Sequence, residues 1–201
     1  LRQSQKTYLD EDLARLSLQG VTLEENPDRR PIDLARFQGK PLWLEVGFGG
    51  GEHLVHMDAR YPQVEIIGCE PFVNGIANLS LHPRDVRELF DVLPAGCLSK
   101  VFLNYPDPWP KARHHRRRFV TPEYLGPLVR CMALGAELRV ATDIPDYVRQ
   151  TLEEVPQAGF ELIAQTGQGA AWQDWLSTRY EQKALREGRD PHYLTFRRRA
   201  G

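Results

Sequence analysis

Two short stretches of this chain concentrate the residue types that do chemistry. The first is Glu45-Val46-Gly47-Phe48-Gly49-Gly50-Gly51-Glu52. Glycines let a backbone turn sharply and come close to a ligand. The start of a following helix adds partial positive charge. Loops of this kind serve dinucleotides or S-adenosylmethionine; taken alone, one is also an ordinary tight turn. The dinucleotide spacing GxGxxG fails here, because the place of the third glycine is taken by Glu52. An acid there would face a pyrophosphate badly. Glu45, just before the loop, favours a ligand with a cationic portion, and S-adenosylmethionine carries an ammonium and a sulfonium. Glu70 closes the next strand, where an acid accepts from ribose hydroxyls. Asp85 follows the third strand and is placed to accept from an adenine amino group.

The second stretch runs from Asn104 to Arg118 (NYPDPWPKARHHRRR). Pro106, Pro108 and Pro110 forbid helix and central strand alike. They predict a stiff loop presenting Asp107 and Trp109. Lys111, Arg113, Arg116, Arg117 and Arg118 follow with His114 and His115 and no acid among them. A basic run is usually a solvated surface. Beside a rigid loop at a strand end it reads as a grip on phosphates.

These residues need elements to hold them. Leu42–Phe48, Val64–Glu70, Leu98–Leu103, Ala136–Thr142, Phe160–Thr166 and Tyr193–Arg197 read as strands. Glu52–Tyr61, with Leu54, Val55 and Met57 inward, reads as a helix. So do Val86–Leu93, Pro122–Leu134, with Pro at its first turn, and Pro145–Val155. Strands alternating with helices predict a doubly wound α/β sheet. Ligands in such sheets bind beyond the carboxyl ends of the strands, which is where Glu45, Glu70, Asp85 and Asp107 fall. Between Glu70 and a strand-like LSLHP beginning at Leu79, only Pro71 to Asn78 are available. A crossover containing a helix needs about 10–12 residues, so either the helix is a stub or residues are missing near Asn78; the second is the expectation. Residues 1–40 read as an extension with one short amphipathic helix through Leu9, Leu13, Leu16 and Leu18, and residues 41–201 as one α/β domain.

Beyond spacing, the motifs LEVGFGGGEHL, GCEPFVNGIANL, RDVREL, NYPDPWPKARHHRRRFVTPEYL, ATDIPDY and TRYEQKALREGRDPHYLTF resemble the bacterial tRNA (guanine-N7)-methyltransferase family. The resemblance covers about Leu42 to the C-terminus. The PDPWPK block with the late TRYE is its specific part; the glycine loop merely agrees. It implies a class I S-adenosylmethionine-dependent methyltransferase fold, mostly parallel with an antiparallel last strand. It further implies methylation of a guanine N7 in the tRNA variable loop. By motif position, Glu45, Glu70, Asp85 and Asp107, with Gly47, Gly49 and Gly51, match the family's cofactor-site or catalytic residues. Lys111, Asp143, Thr178, Arg179, Tyr180 and Glu181 match its substrate positions, and Arg113 to Arg118 its RNA-contacting run. Val86 and Arg84 depart from the family's usual Ala and Gly beside Asp85.

Guanine N7 has an in-plane lone pair and no proton, so attack on a sulfonium methyl needs no general base. That fits the lack of a Ser-His-Asp or Cys-His arrangement. Asp107 is expected to stabilise positive charge growing on the purine or to accept from N1–H and the amino group. Trp109 is expected to brace the loop rather than stack on the base. Asp143 also reads as a helix cap before Pro145, and Thr178 with Glu181 has the spacing of a capping box.

Composition sets the outer bounds. The chain has 201 residues, 26 Lys and Arg against 27 Asp and Glu, and a formal net charge of −1. That excludes a surface coated in positive charge, but not a local basic patch. No apolar stretch approaches the ~20 residues of a membrane span. Cys69, Cys97 and Cys131 are odd in number and lack a CxxC, which predicts a reduced cytoplasmic protein with no metal site. Two other function classes compete: an NAD-dependent oxidoreductase, which would require the absent GxGxxG, and a non-catalytic RNA-binding module, which would be free to lose some of the site acids. Monomer and homodimer both stay open.

Overall fold

In the computed structural model, residues 17–70, 80–82 and 85–200 are described. The expected N-terminal helix through Leu9, Leu13 and Leu16, the segment Pro71 to Asn78 and Arg84 lie outside them. The chain divides into two compact units, Leu1–Pro94 and Ala95–Gly201.

In the first unit, β1 (Leu42–Val46) leads through the glycine loop to α1 (Glu52–Arg60). β2 (Glu65–Cys69) and β3 (Ser80–His82) follow, then α2 (Val86–Val92). β2 lies between β1 and β3 and pairs parallel with both, Glu45 standing opposite Gly68. The LWLEV and EIIGC runs are buried because the strands carry apolar residues on both faces, as parallel strands do; Leu44 and Ile67 lie fully inside with Leu54 and Met57 of α1. Val55 does not join them. It is 47% exposed, and His53 takes the inward place instead. The described part of the N-terminal extension packs into this unit. Leu18, Val21 and Phe37 are buried, the Arg29 guanidinium donates to the carbonyls of Val21 and Glu88, and the Ile32 amide donates to the Val92 carbonyl.

The second unit contains β4 (Leu98–Asn104), a 3-10 turn at Ala112–Arg117, α3 (Pro122–Cys131), β5 (Met132–Thr142) and α4 (Pro145–Gln157). β6 (Phe160–Thr166), α5 (Arg179–Arg186) and β7 (His192–Arg198) complete it. β4 and β5 are parallel, and β7 runs antiparallel between β5 and β6. The last strand is therefore reversed, as expected. One boundary differs from the sequence reading: α3 ends at Cys131, not Leu134, and β5 begins at Met132. The register slips between Leu98 and Lys100, opposite Met132 and Glu137. Gly135, at φ 78°, sits inside that irregular stretch. The regular ladder starts at Glu137, close to the expected Ala136.

Candidate functional site

Each unit carries one group of the expected site residues. In the first, Gly47, Gly49 and Gly51 all adopt positive φ (71°, 57° and 79°), a region that L side chains rarely enter. The Gly47 amide donates to the Cys69 carbonyl at 2.8 Å, and the Gly49 amide donates to the Glu70 carboxylate at 3.0 Å. Glu70 thus ties the loop to the end of β2. A Cβ added at Gly47 would meet nothing within 4 Å, so this glycine leaves open space at the loop.

Glu45 is 2% exposed, and its Oε2 lies 3.0 Å from His53 Nδ1 in the first turn of α1. A carboxylate only accepts, so the ring nitrogen donates. A buried acid costs several kcal/mol unless paired, and His53 supplies part of that pairing. The sequence signal for His53 is its i, i+8 relation to Glu45 across a strand–turn–helix.

Asp85 caps α2, its Oδ1 accepting from the Arg87 amide at 2.9 Å, while its Oδ2 accepts from the Arg87 guanidinium at 2.8 Å. Burial pushes its carboxyl up, but these Arg87 bonds outweigh it and leave the group below its ordinary value.

In the second unit the proline-rich loop leaves β4 through Tyr105, whose amide donates to the Ala141 carbonyl at 2.8 Å. Tyr105 (φ 50°) and Trp109 (φ 40°) both take left-handed backbone, a strained choice for non-glycine residues. The Arg117 guanidinium sits 4.9 Å over the Trp109 ring, and the His114 ring meets it edge-on at 5.9 Å. Asp107, Lys111, Arg113, Arg116 and Arg117 are exposed. His115 is half-buried, its Nε2 3.3 Å from Asp146 Oδ2.

Arg118 breaks the pattern of the basic run. It is 1% exposed. Its Nε donates to the Pro108 carbonyl at 2.8 Å, and its Nη1 donates to Asp146 Oδ2 and Gln150 Oε1, both at 2.9 Å. A side chain so enclosed cannot also present its charge to a phosphate in solvent. Burial and these bonds set Arg118 apart from Arg113, Arg116 and Arg117 of the same run, which are exposed.

Asp143 also differs from the sequence reading in one respect. It makes no helix cap; the cap position of α4 is Ile144, with no side-chain bond, and Asp143 accepts from the Arg189 guanidinium instead. No local pattern in the sequence signals this pair, because its members stand 46 positions apart.

Thr178 caps α5, its Oγ1 accepting from the Glu181 amide at 3.3 Å. Glu181 does not return the bond of a full capping box. It is buried, accepts from Trp175 Nε1 at 2.9 Å through Oε2, and accepts from the Tyr193 hydroxyl through Oε1. Burial, then the Glu181 carboxylate, pushes the Tyr193 phenol up, so it stays a donor. Arg179 and Tyr180 point outward, Tyr180 at 46% exposure. Among the described residues, no cluster of His, Cys, Asp and Glu could hold a metal ion, and no helix is long and apolar enough to cross a membrane.

Residues 39–194 match a methyltransferase family model described as "Putative methyltransferase". A tRNA (guanine-N(7)-)-methyltransferase of Cereibacter sphaeroides is 69% identical over 98% of this chain and 87% of its own length. Its counterpart in Paracoccus denitrificans is 66% identical over 100% and 91%, and that of Rhodospirillum rubrum 44% identical over 99% and 84%. The first of these alignments runs to 211 positions against 201 residues here, so that relative carries positions without a counterpart in this chain. Among solved structures, an antibiotic-related methyltransferase aligns with TM-score 0.58 at 14% identity, covering 86% of this chain and 98% of that one. A 16S rRNA (adenine(1408)-N(1))-methyltransferase from Catenulisporales acidiphilia, with cosubstrate SAM, aligns with TM-score 0.58 at 16% identity, covering 84% and 93%. These two likenesses show the fold, that of class I methyltransferases.

Proposed function

Because the chain belongs to the tRNA (guanine-N7)-methyltransferase family, we propose that it transfers the methyl group of S-adenosyl-L-methionine to N7 of a guanine in the tRNA variable loop. The single observation that carries this reading is identity of 60–69%, over 98–100% of this chain and 84–91% of each relative, to six curated enzymes of that name. The donor set of the first unit fits the cofactor. Glu45, Glu70 and Asp85 are acidic, and Gly47 leaves space that a side chain would fill. Glu45, Glu70, Asp85, Gly47, Gly49 and Gly51 would hold it; when bound, it supplies an electrophilic methyl group on a sulfonium.

This chain's residues have no proton to remove from N7. Their task is orientation, which supplies about 7–11 kcal/mol in favourable cases, and electrostatics. Asp107, exposed on a loop clamped from within, places a carboxylate against the positive charge that grows on the purine. Trp109, held between Arg117 and His114, braces that loop. Lys111, Arg113, Arg116 and Arg117 bind phosphates around a guanine extruded from its stack at a cost of a few kcal/mol. Asp143, fixed by Arg189, and the exposed Arg179 and Tyr180 receive the substrate, while Thr178 and Glu181, both buried, hold the start of α5 that presents them. The free, largely buried cysteines and the tRNA substrate support a cytoplasmic enzyme.

The test is methyl transfer from labelled S-adenosylmethionine to bulk tRNA, followed by nucleoside analysis. Label in 7-methylguanosine is expected. Label in another nucleoside would reject the specific assignment while keeping the class.

A further inference from the structure

The loop Pro106 to Pro110 has a structural problem. Its prolines have no amide hydrogen, so it cannot build a ladder of its own. Its carbonyls still need donors when they turn inward. A guanidinium offers five N–H groups in a rigid fork. Arg118 fills that role: besides the Pro108 bond, its Nη2 approaches the Trp109 carbonyl at 3.5 Å. Those two carbonyls belong to the residues that directly follow Asp107.

The other side of the fork is anchored on α4. Asp146 and Gln150 accept from Nη1, and the Arg118 plane lies 5.3 Å over the Tyr147 ring. Gln150 is itself fixed, its Nε2 donating to the Val120 carbonyl at 3.1 Å. Asp146 is fixed by Arg149 at 2.8 Å. The chain from α4 through Arg118 to the loop is therefore hydrogen-bonded at every link. Burying a lone cation costs several kcal/mol unless it is paired and hydrogen-bonded, and here Asp146 meets the charge while the loop carbonyls and Gln150 complete the bonding.

We infer that Arg118 is a positioning residue for Asp107: it acts through the backbone of Pro108 and Trp109, sets where the Asp107 carboxylate stands, and makes no contact with RNA. The inference rests on the proposed N7-methyltransferase function. It converts one member of the basic run from a phosphate ligand into part of the catalytic geometry. A lysine cannot substitute, because one ammonium cannot span the Pro108 carbonyl, Asp146 and Gln150 together.

The experiment compares wild type, Arg118→Lys and Gln150→Leu in steady-state 7-methylguanosine formation, at a temperature below all three melting points. A displacement of about 1 Å at a reacting group costs on the order of 100-fold. Arg118→Lys is therefore expected to lower kcat by about 10- to 100-fold. KM for tRNA, KM for S-adenosylmethionine and the salt dependence of tRNA binding should stay within about twofold. Gln150→Leu, which removes one anchor and no charge, should show the same split to a smaller degree, and it carries the test if Arg118→Lys does not fold. A lowered melting point with unchanged kcat in the folded variant would reduce Arg118 to a structural role and overturn the inference. A raised KM for tRNA with a weaker salt dependence would return it to the phosphate contacts and also overturn it. An inactive wild type would instead refute the proposed function.

Discussion

Gly68 stands at the centre of β2, opposite Glu45, and the glycine loop rests on it. Replacing it with alanine sets two effects against each other. Alanine stiffens the unfolded chain, which stabilises a protein by about 0.4–1 kcal/mol where the backbone allows it. Against that, the new Cβ would stand 2.6 Å from Leu54 Cδ2 and 2.7 and 2.8 Å from the Phe48 ring. Both neighbours are buried, and a phenyl ring has no flexible end to withdraw. Overpacking of this kind costs about 1–3 kcal/mol. The net is a loss of about 0–2.6 kcal/mol, centred near about 1.3, or a Tm lower by up to about 10 °C in a chain of this size. The displacement has a direction. Phe48 lies between Gly47 and Gly49, so strain that moves its ring moves the loop. Strain of 1.4 kcal/mol borne wholly by the loop would weaken S-adenosylmethionine binding about tenfold. Differential scanning calorimetry gives the first quantity and titration calorimetry with S-adenosylmethionine the second. A raised Tm would refute the packing argument. A lowered Tm with unchanged affinity would show that Leu54 yields alone, and would refute the coupling of β2 to the loop.

Three further outcomes are expected. Changing Arg113, Arg116 and Arg117 together to Ala, with Arg118 left in place, should reduce the slope of log K against log salt for tRNA binding by about 2–3; an unchanged slope would make them a solvated face. Hydrogen bonds from Arg149 and then Arg118 hold the Asp146 carboxyl below its ordinary value, so its stabilising contribution is present above about pH 3.9 and is lost as pH falls through the lower folded value. In urea melts the gap between wild type and Asp146→Asn should therefore be constant from about pH 5 to 7 and narrow below about pH 4; a gap that widened on acidification would contradict this sign. Burial pushes the Cys97 thiol up to about 12 and raises Cys69 too, so both should react slowly with a disulfide reagent at pH 8 and fast only in denaturant.

What the sequence made legible was mainly local. The glycines before α1, the prolines around Asp107 and the runs of apolar residues each impose backbone geometry on their own neighbours, and β1, β2, β4 and β6 appear within a few residues of their expected places. The reversed last strand came from family resemblance, not from its composition. Side-chain fate was less legible, because it depends on partners far along the chain. Arg116, Arg117 and Arg118 are identical in type and adjacent in sequence, yet only Arg118 meets Asp146 and Gln150 of α4. Glu181 looks like half of a capping box until Trp175 and Tyr193 take both its oxygens. Val55 follows the apolar pattern of α1 but falls on its exposed side.

The central claim concerns one atom of one base, and strand scission tests it there. 7-Methylguanosine is reduced by borohydride and its chain then breaks under aniline, whereas unmodified guanosine survives. In a tRNA transcript treated with the enzyme and S-adenosylmethionine, a single cut inside the variable loop is expected, lost when Asp107 is changed to Ala while tRNA binding persists. A transcript that takes up label but is not cut, or is cut outside the variable loop, would contradict the assignment.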